Sequence, residues 1–173
     1  MSGLRIEGER VALRPLAAED FAAVEPWYSE AVAAVEGIAS AECQGAAGLR
    51  ERLADARRRG CGRLLAIVER EAGSVVGLLE FECLDSESMG VTFLAMEASR
   101  RGWGLGSEAV RLLEEELLGN GMARRLQADI DVRNGLGIYF WLRIGYRPMG
   151  VGGGTKGRGV VTMVREGGQK GAA

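Results

Sequence analysis

The residues Arg100 to Ala109, read as R-R-G-W-G-L-G-S-E-A, place an arginine at 101 and glycines at 102, 104 and 106 just ahead of a stretch with helical periodicity. Glycines let the main chain adopt conformations closed to other residues and let a ligand approach it closely. The unpaired N–H groups at a helix start, with the helix dipole behind them, attract negative charge. Such a turn suits a phosphate, although the same glycines would also serve a plain strand-to-helix connection. The chain has no histidine, so any proton transfer falls to carboxylates, and Glu80 and Glu82 are candidate bases. Glu80 and Glu82 are read as sharing a strand face with Val76 and Leu78. A carboxylate looking from that face into a core or cleft would have its pKa raised by burial, which suits a base.

The elements that must position these residues follow from periodicity. After Gly104, the positions Leu105, Ala109, Leu112, Leu113 and Leu117 fall on one helical face, with Glu114, Glu115 and Glu116 largely opposite and Gly119-Asn120-Gly121 as the stop. Upstream, Val91 to Met96 reads as a buried strand. Leu4 to Arg14 gives a first strand with a turn at Gly8, ended by Pro15. Glu19 to Val35 is helical in propensity but holds Pro26, which predicts a short helix, a break near Trp27-Tyr28 and a second helical piece. Leu49, Leu53 and Ala56 mark an amphipathic helix up to Gly60. Strands are predicted over Arg63 to Glu69 and Ser74 to Leu84, joined by a turn at Ala72-Gly73. A strand over Arg125 to Asp131, a helix from Gly135 to Arg143 and a last strand pair, Tyr146 to Val151 and Gly159 to Arg165, complete the order. Gly152 to Arg158 reads as a flexible loop and 167–173 as a frayed tail behind a single domain over 1–166.

Composition narrows the function classes. A chain of 173 residues with 47% hydrophobic content is of ordinary size for one globular domain. Its charged start lacks the pattern of a signal peptide, and no run approaches the ~18 apolar residues of a membrane span, so a cytoplasmic location without membrane association is expected. The three cysteines, Cys43, Cys61 and Cys83, lack metal-ligand spacing, so no metal is expected and the thiols read as buried or incidental. A net charge of −2 argues against nucleic-acid binding. The basic run Arg57-Arg58-Arg59 reads as a solvated helix end.

Two families fit the turn. Gly104-x-Gly106-x-x-Ala109 matches the dinucleotide fingerprint of an oxidoreductase, with Asp129 and Asp131 near the end of the next strand as ribose-binding acids. That fingerprint should follow its strand at once, whereas Glu97 to Trp103 intervene. Few residues remain after Asp131 to complete the sheet, and Arg101 has no role. Arg101-x-x-Gly104-x-Gly106 instead resembles the [QR]-x-x-G-x-[GA] pyrophosphate turn of the GNAT superfamily of acyl-CoA-dependent N-acyltransferases. Leu126 to Asn134 followed by Gly145-Tyr146-Arg147 is similar to that family's L-x-V-x-x-x-N then G-F-R block. Val11-Ala-Leu-Arg-Pro-Leu-Ala-Ala-Glu-Asp20 is similar to the V-x-L-R-P-L-x-x-E-D opening of its RimJ/RimL-like branch, which acts on ribosomal proteins and small molecules.

The resemblance implies an α/β (α+β) fold with a mixed, mostly antiparallel sheet of six to seven strands, about four helices and splayed central strands. It implies acetyl-CoA as co-substrate, its pantetheine arm paired with main-chain groups of Leu94, Ala95 and Met96. The pyrophosphate would accept bonds from Arg101, Gly102, Trp103, Gly104, Leu105, Gly106 and Ser107, with Asn134 and Trp141 also on the cofactor side and Trp103 itself exposed. The acceptor would be an amine, a protein N-terminus or a small molecule. Trp27 and Tyr28, with Glu25, Glu30, Glu80 and Glu82, would suit a cationic one. Asp129 stands where ribosomal-protein members carry a glutamate base. Many members place an acidic tyrosine where this chain has Trp141, whose indole N–H donates a hydrogen bond but supplies no proton. Tyr139 is a poor substitute, turned about 200° away on the helix. Two readings therefore stay open, an acetyltransferase and an acyl-CoA-binding sensor or docking module that transfers nothing. A homodimer is expected by analogy with the family.

Overall fold

The computed structural model describes residues 4–36, 45–59, 63–153 and 159–168. In chain order the elements are β1 (Ile6–Glu7), β2 (Val11–Pro15), α1 (Phe21–Glu36), α2 (Gly45–Arg58), β3 (Arg63–Glu69), β4 (Val75–Cys83), β5 (Ser88–Met96), α3 (Leu105–Glu114), β6 (Arg125–Asp131), α4 (Gly135–Arg143), β7 (Arg147–Gly153) and β8 (Gly159–Glu166). A π-helical turn, Glu115–Gly119, extends α3. The strands form one eight-stranded sheet in the order β1-β2-β3-β4-β5-β6-β8-β7. Every neighbouring pair is antiparallel except β5 and β6, which run parallel. The expected six to seven strands become eight because the Gly8 turn, closed by the Gly8 N–H on the Val11 carbonyl at 2.9 Å, divides the first segment into β1 and β2.

Each face of the sheet has its own apolar core. On one side α3 and α4 bury Leu105, Val110, Leu113 and Trp141 against Leu13, Ile67, Leu79 and Phe81. On the other, α1 and α2 bury Val24, Tyr28, Leu49 and Leu53 against Leu64, Ala66, Leu78 and Phe93. A bulge corrects the expected facing of β4. Ile67 pairs with Gly77 and Val68 with Val75, leaving Val76 as the extra residue. Val76 therefore joins the α3 side, while Leu78, Glu80 and Glu82 alternate onto the α1–α2 side.

Two further expectations are overturned. The predicted break near Trp27-Tyr28 is absent, since α1 runs unbroken through Pro26. Pro26 and Ala22 both face solvent, so water can satisfy the Ala22 carbonyl that loses its helical partner, while the buried face of Val24, Tyr28, Ala31 and Val32 holds the helix together. Glu114, expected on the face opposite the apolar one, is buried, because nearly every side of α3 is covered. Burial pushes its pKa up against the opposing pull of Arg165, whose Nε lies 3.4 Å from the carboxylate.

The basic run closing α2 is exposed, as expected for a helix end. Gly167 is tied by its N–H to the Arg124 carbonyl at 2.7 Å, so fraying does not begin there. The rest of the tail after Gly168, most of the predicted loop before Gly159, and Cys43 and Cys61 lie outside the described residues, and Cys83 is half-buried. Among the described residues, no helix is long and apolar enough to cross a membrane.

Replacing Pro26 with Ala is expected to stabilise the fold by about 1–2 kcal/mol, less than the full helix-interior penalty because the unfolded chain also gains freedom. A denaturant melt checks this. For Glu114 the raised folded-state pKa means that stability falls as pH rises above its ordinary value of 4.5. Glu114→Gln is therefore expected to melt higher than the wild type at pH 8 and to lose the advantage near pH 4.

Candidate active site

The site is a gap in the sheet. Between β5 and β6 only Ser88 with Arg125, Met89 with Leu126 and Gly90 with Gln127 are paired, although β5 continues to Met96 and β6 to Asp131. The cause lies in β5. Glu80 pairs with Phe93 but Phe81 pairs with Val91, so Thr92 bulges just past the last residue bonded to β6. A bulge bends its strand and increases its twist, and here that turns β5 away from β6. The opening is a cavity of about 470 Å³, bounded by β5, the glycine turn, the end of β6 and α4.

Most of the expected cofactor residues line this cavity: Leu94, Ala95, Met96, Arg101, Gly102, Gly104, Leu105, Gly106, Ser107, Asn134 and Trp141, together with Asp129 and Tyr139. Trp103 does not; its side chain is 70% exposed. Gly102 and Gly104 hold φ of 83° and 81°, the left-handed region that glycine alone adopts without strain. Among the described residues, none of the main-chain N–H groups from Gly102 to Ser107 donates within the chain. The first bond of α3 is Glu108 N–H to the Gly104 carbonyl at 3.0 Å. The opposite side of the turn is committed: Arg10 donates to the Trp103 carbonyl at 2.8 Å and its Nη2 lies 3.5 Å from the Gly104 carbonyl. Arg10 is in turn held by Glu108 at 2.8 Å. Burial would raise the Glu108 pKa, but the N–H groups of Arg10 and Val11 and the Arg10 guanidinium together hold it below the usual range. Arg101 donates through Nε to the Met96 carbonyl at 3.0 Å and bidentately to Glu30 at 2.9 Å.

On the far wall, Asn134 caps α4 by accepting the Gly137 N–H at 2.8 Å. Trp141 closes the cavity from inside the core, edge-on to Tyr146 with ring centroids 4.6 Å apart. Tyr139 is 62% exposed at the rim, whereas Trp141 is 4% exposed. Asp129 accepts from the Thr162 hydroxyl at 2.6 Å across the β6–β8 pair.

The other two carboxylate candidates lie elsewhere. Glu80 is buried on the α1–α2 side, 2.7 Å from Arg52 and 3.8 Å from Arg59, and Glu82 is 2.6 Å from Arg59. Arg52 also donates to Tyr28 Oη at 3.0 Å and lies over the Phe93 ring at 4.2 Å. Burial depresses its pKa, but Tyr28 and Glu80 outweigh that and raise it. Tyr28 and Glu80 line a second cavity of about 240 Å³ with Arg52 and Arg59; Trp27 packs against the neighbouring core and lines neither cavity. Phe93 lies in the wall of the first cavity and against Arg52, linking the two. Sequence reasoning missed Arg10, Arg52, Glu108 and Thr162, and it placed Glu30 on the acceptor side, whereas Glu30 pairs with Arg101. Each pairs with a residue distant in sequence, for which spacing offers no signal.

A glycine turn of uncommitted N–H groups at the mouth of a gap between parallel strands fits a ligand with an extended, amide-bearing arm ending in a pyrophosphate. The acetyltransferase (GNAT) domain family matches residues 10–147, and the chain belongs to that family. It is an acyltransferase, and its mostly antiparallel sheet sets aside the dinucleotide reading. No curated protein sequence matches. Among solved structures, the chain is similar to the ribosomal-protein-S5-alanine acetyltransferase of Vibrio fischeri (TM-score 0.75, 11% identity, covering 98% of this chain and 100% of that one). It is also similar to the acetyl transferase of Salmonella typhimurium that modifies the N-terminal serine of ribosomal protein L7/L12 (TM-score 0.77, 15% identity, covering 92% and 96%). A third likeness is to a ribosomal L7/L12 α-N-protein acetyltransferase in complex with coenzyme A (TM-score 0.78, 14% identity, covering 94% and 97%).

The two turn glycines are expected to differ. A Cβ at Gly104 would sit at φ 81° and 3.4 Å from Arg10, whereas one at Gly106 meets Met96 at an ordinary 3.5 Å. Gly104→Ala should therefore cost about 1–2 kcal/mol, while Gly106→Ala should melt with the wild type.

Proposed function

We propose that the protein transfers an acetyl group from acetyl-CoA to a primary amine, a protein N-terminus or a small molecule, by direct attack in a ternary complex. The observation that carries this is the early end of β5–β6 pairing in front of the uncommitted N–H groups of Gly102 to Ser107. In this reading Leu94, Ala95 and Met96 pair with the pantetheine amides as an added strand would, and the turn holds the pyrophosphate. The thioester supplies the acetyl group.

An alkylamine with a pKa of ~10.4 is mostly protonated at neutral pH, so a base must take its proton. Asp129 has the geometry for this role: it lines the cavity and is exposed to it, and Thr162 fixes one of its oxygens. Glu80 and Glu82 are held by arginines and serve better as part of the acceptor side. The amine approaches past Phe93 from the cavity that Tyr28 and Glu80 line. The coenzyme thiol, with a pKa of ~8.5, leaves as a thiolate without an acid, which removes the need for a tyrosine at Trp141. The domain spans 1–166 and acts in the cytoplasm, as a homodimer by analogy with the family.

The competing reading, an acyl-CoA sensor, rests only on the indole that stands at 141 in place of a tyrosine, and it is the weaker one because the thiolate needs no acid. Titration with acetyl-CoA, using NAD as control, followed by thiol release against amines and N-terminal peptides, separates the two. Release on one amine class, reduced at least about tenfold in Asp129→Asn with binding retained, is the expected result. Binding without release on any acceptor supports the sensor, and NAD binding alone removes both readings.

A further inference from the structure

We propose that Arg10 is a positioning residue for acyl-donor binding: its guanidinium, braced by Glu108, fixes the peptide planes of the phosphate turn so that their N–H groups face the cavity. The inference rests on the acetyl-CoA reading above. A peptide with its carbonyl fixed on one side must present its N–H on the other. Arg10 Nη1 takes the Trp103 carbonyl at 2.8 Å and Nη2 lies 3.5 Å from that of Gly104, so the N–H groups of Gly104 and Leu105 are directed away from Arg10. The Gly104–Leu105 peptide is also held by the Glu108 N–H on the Gly104 carbonyl, but with glycines at 102 and 104 the Trp103–Gly104 peptide has other conformations open to it, and without the Arg10 restraint it could rotate and aim its carbonyl at the phosphates.

The brace is specific. Glu108 accepts the Arg10 side chain on Oε2 at 2.8 Å, and its Oε1 accepts the N–H groups of Arg10 and Val11 at 2.7 and 3.1 Å. This joins the first turn of α3 to the start of β2. Gly8 leaves the room for it, since a Cβ there would lie 2.8 Å from Glu108 Oε1 and 2.7 Å from Leu112. A lone carboxylate in the first turn of a phosphate-binding helix would repel the ligand, and the Arg10 guanidinium compensates that charge. Arg10 does not line the cavity, so its effect passes through the backbone.

The test compares two acyl donors on the full-length protein: acetyl-CoA, and S-acetylpantetheine, which keeps the thioester arm but lacks the phosphates. Arg10→Met is expected to raise the Kd of acetyl-CoA about tenfold and to leave the Kd of S-acetylpantetheine unchanged. Glu108→Gln should move acetyl-CoA in the same direction by less, and the double variant should be no worse than Arg10→Met. Unchanged acetyl-CoA affinity in a folded Arg10→Met protein overturns the proposal. So does an equal loss for both donors accompanied by a lower melting temperature, which would mark Arg10 as a structural residue only. A wild-type protein that binds neither donor overturns the acetyl-CoA reading and this inference with it.

Discussion

The extra residue at Thr92 is the constraint from which the site follows. Without it, β5 and β6 would pair along their full length, and the backbone groups beyond Gly90 would be satisfied by a neighbouring strand. With it, the sheet holds together through three residue pairs and then opens. The polar main-chain groups in such an opening need partners from water or from a ligand that can act as a strand. The gap is thus both a defect in the sheet and the reason for a binding site, and the apolar faces on either side keep the defect local.

Charge around the gap is arranged in closed pairs. Arg10 is matched by Glu108, Arg101 by Glu30, and Arg52 by Glu80. The pairs differ in exposure. The Glu80 side chain is 3% exposed, whereas those of Arg101 and Glu30 are 39% and 56% exposed. Solvent weakens the Arg101 pair far more, so that guanidinium can exchange its partner more readily. The buried pair under Phe93 stays fixed, because removing either partner would leave a charge stranded in the core.

Where local sequence controls conformation, the chain is readable. The limits of β6 and α4 match those expected from Arg125 to Asp131 and Gly135 to Arg143, and the turn motif lies at the start of α3 as its glycines imply. Pro26 misleads because propensity ranks below the burial of an apolar helix face. Glu114 misleads because periodicity cannot say how many sides of a helix are covered. Val76 departs from the alternation expected of β4 because a bulge adds one residue and reverses the facing after it. The site is legible in the same proportion: the residues of the turn and β5 could be named from motif and family resemblance, whereas the arginines and carboxylates that fix them pair across the fold and leave no trace in spacing.

The strand order has a consequence for synthesis. β8 lies between β6 and β7, so β7 is made before the strand it pairs with, and in the finished sheet it remains the outer edge, with Met149 and Val151 exposed. The sheet beyond β6 can close only after residues 159–166 have left the exit tunnel. The distal wall that carries Asp129 and its Thr162 partner is therefore among the last parts of the molecule to form, and until then the edge of β6 that β8 will cover is open to intermolecular pairing.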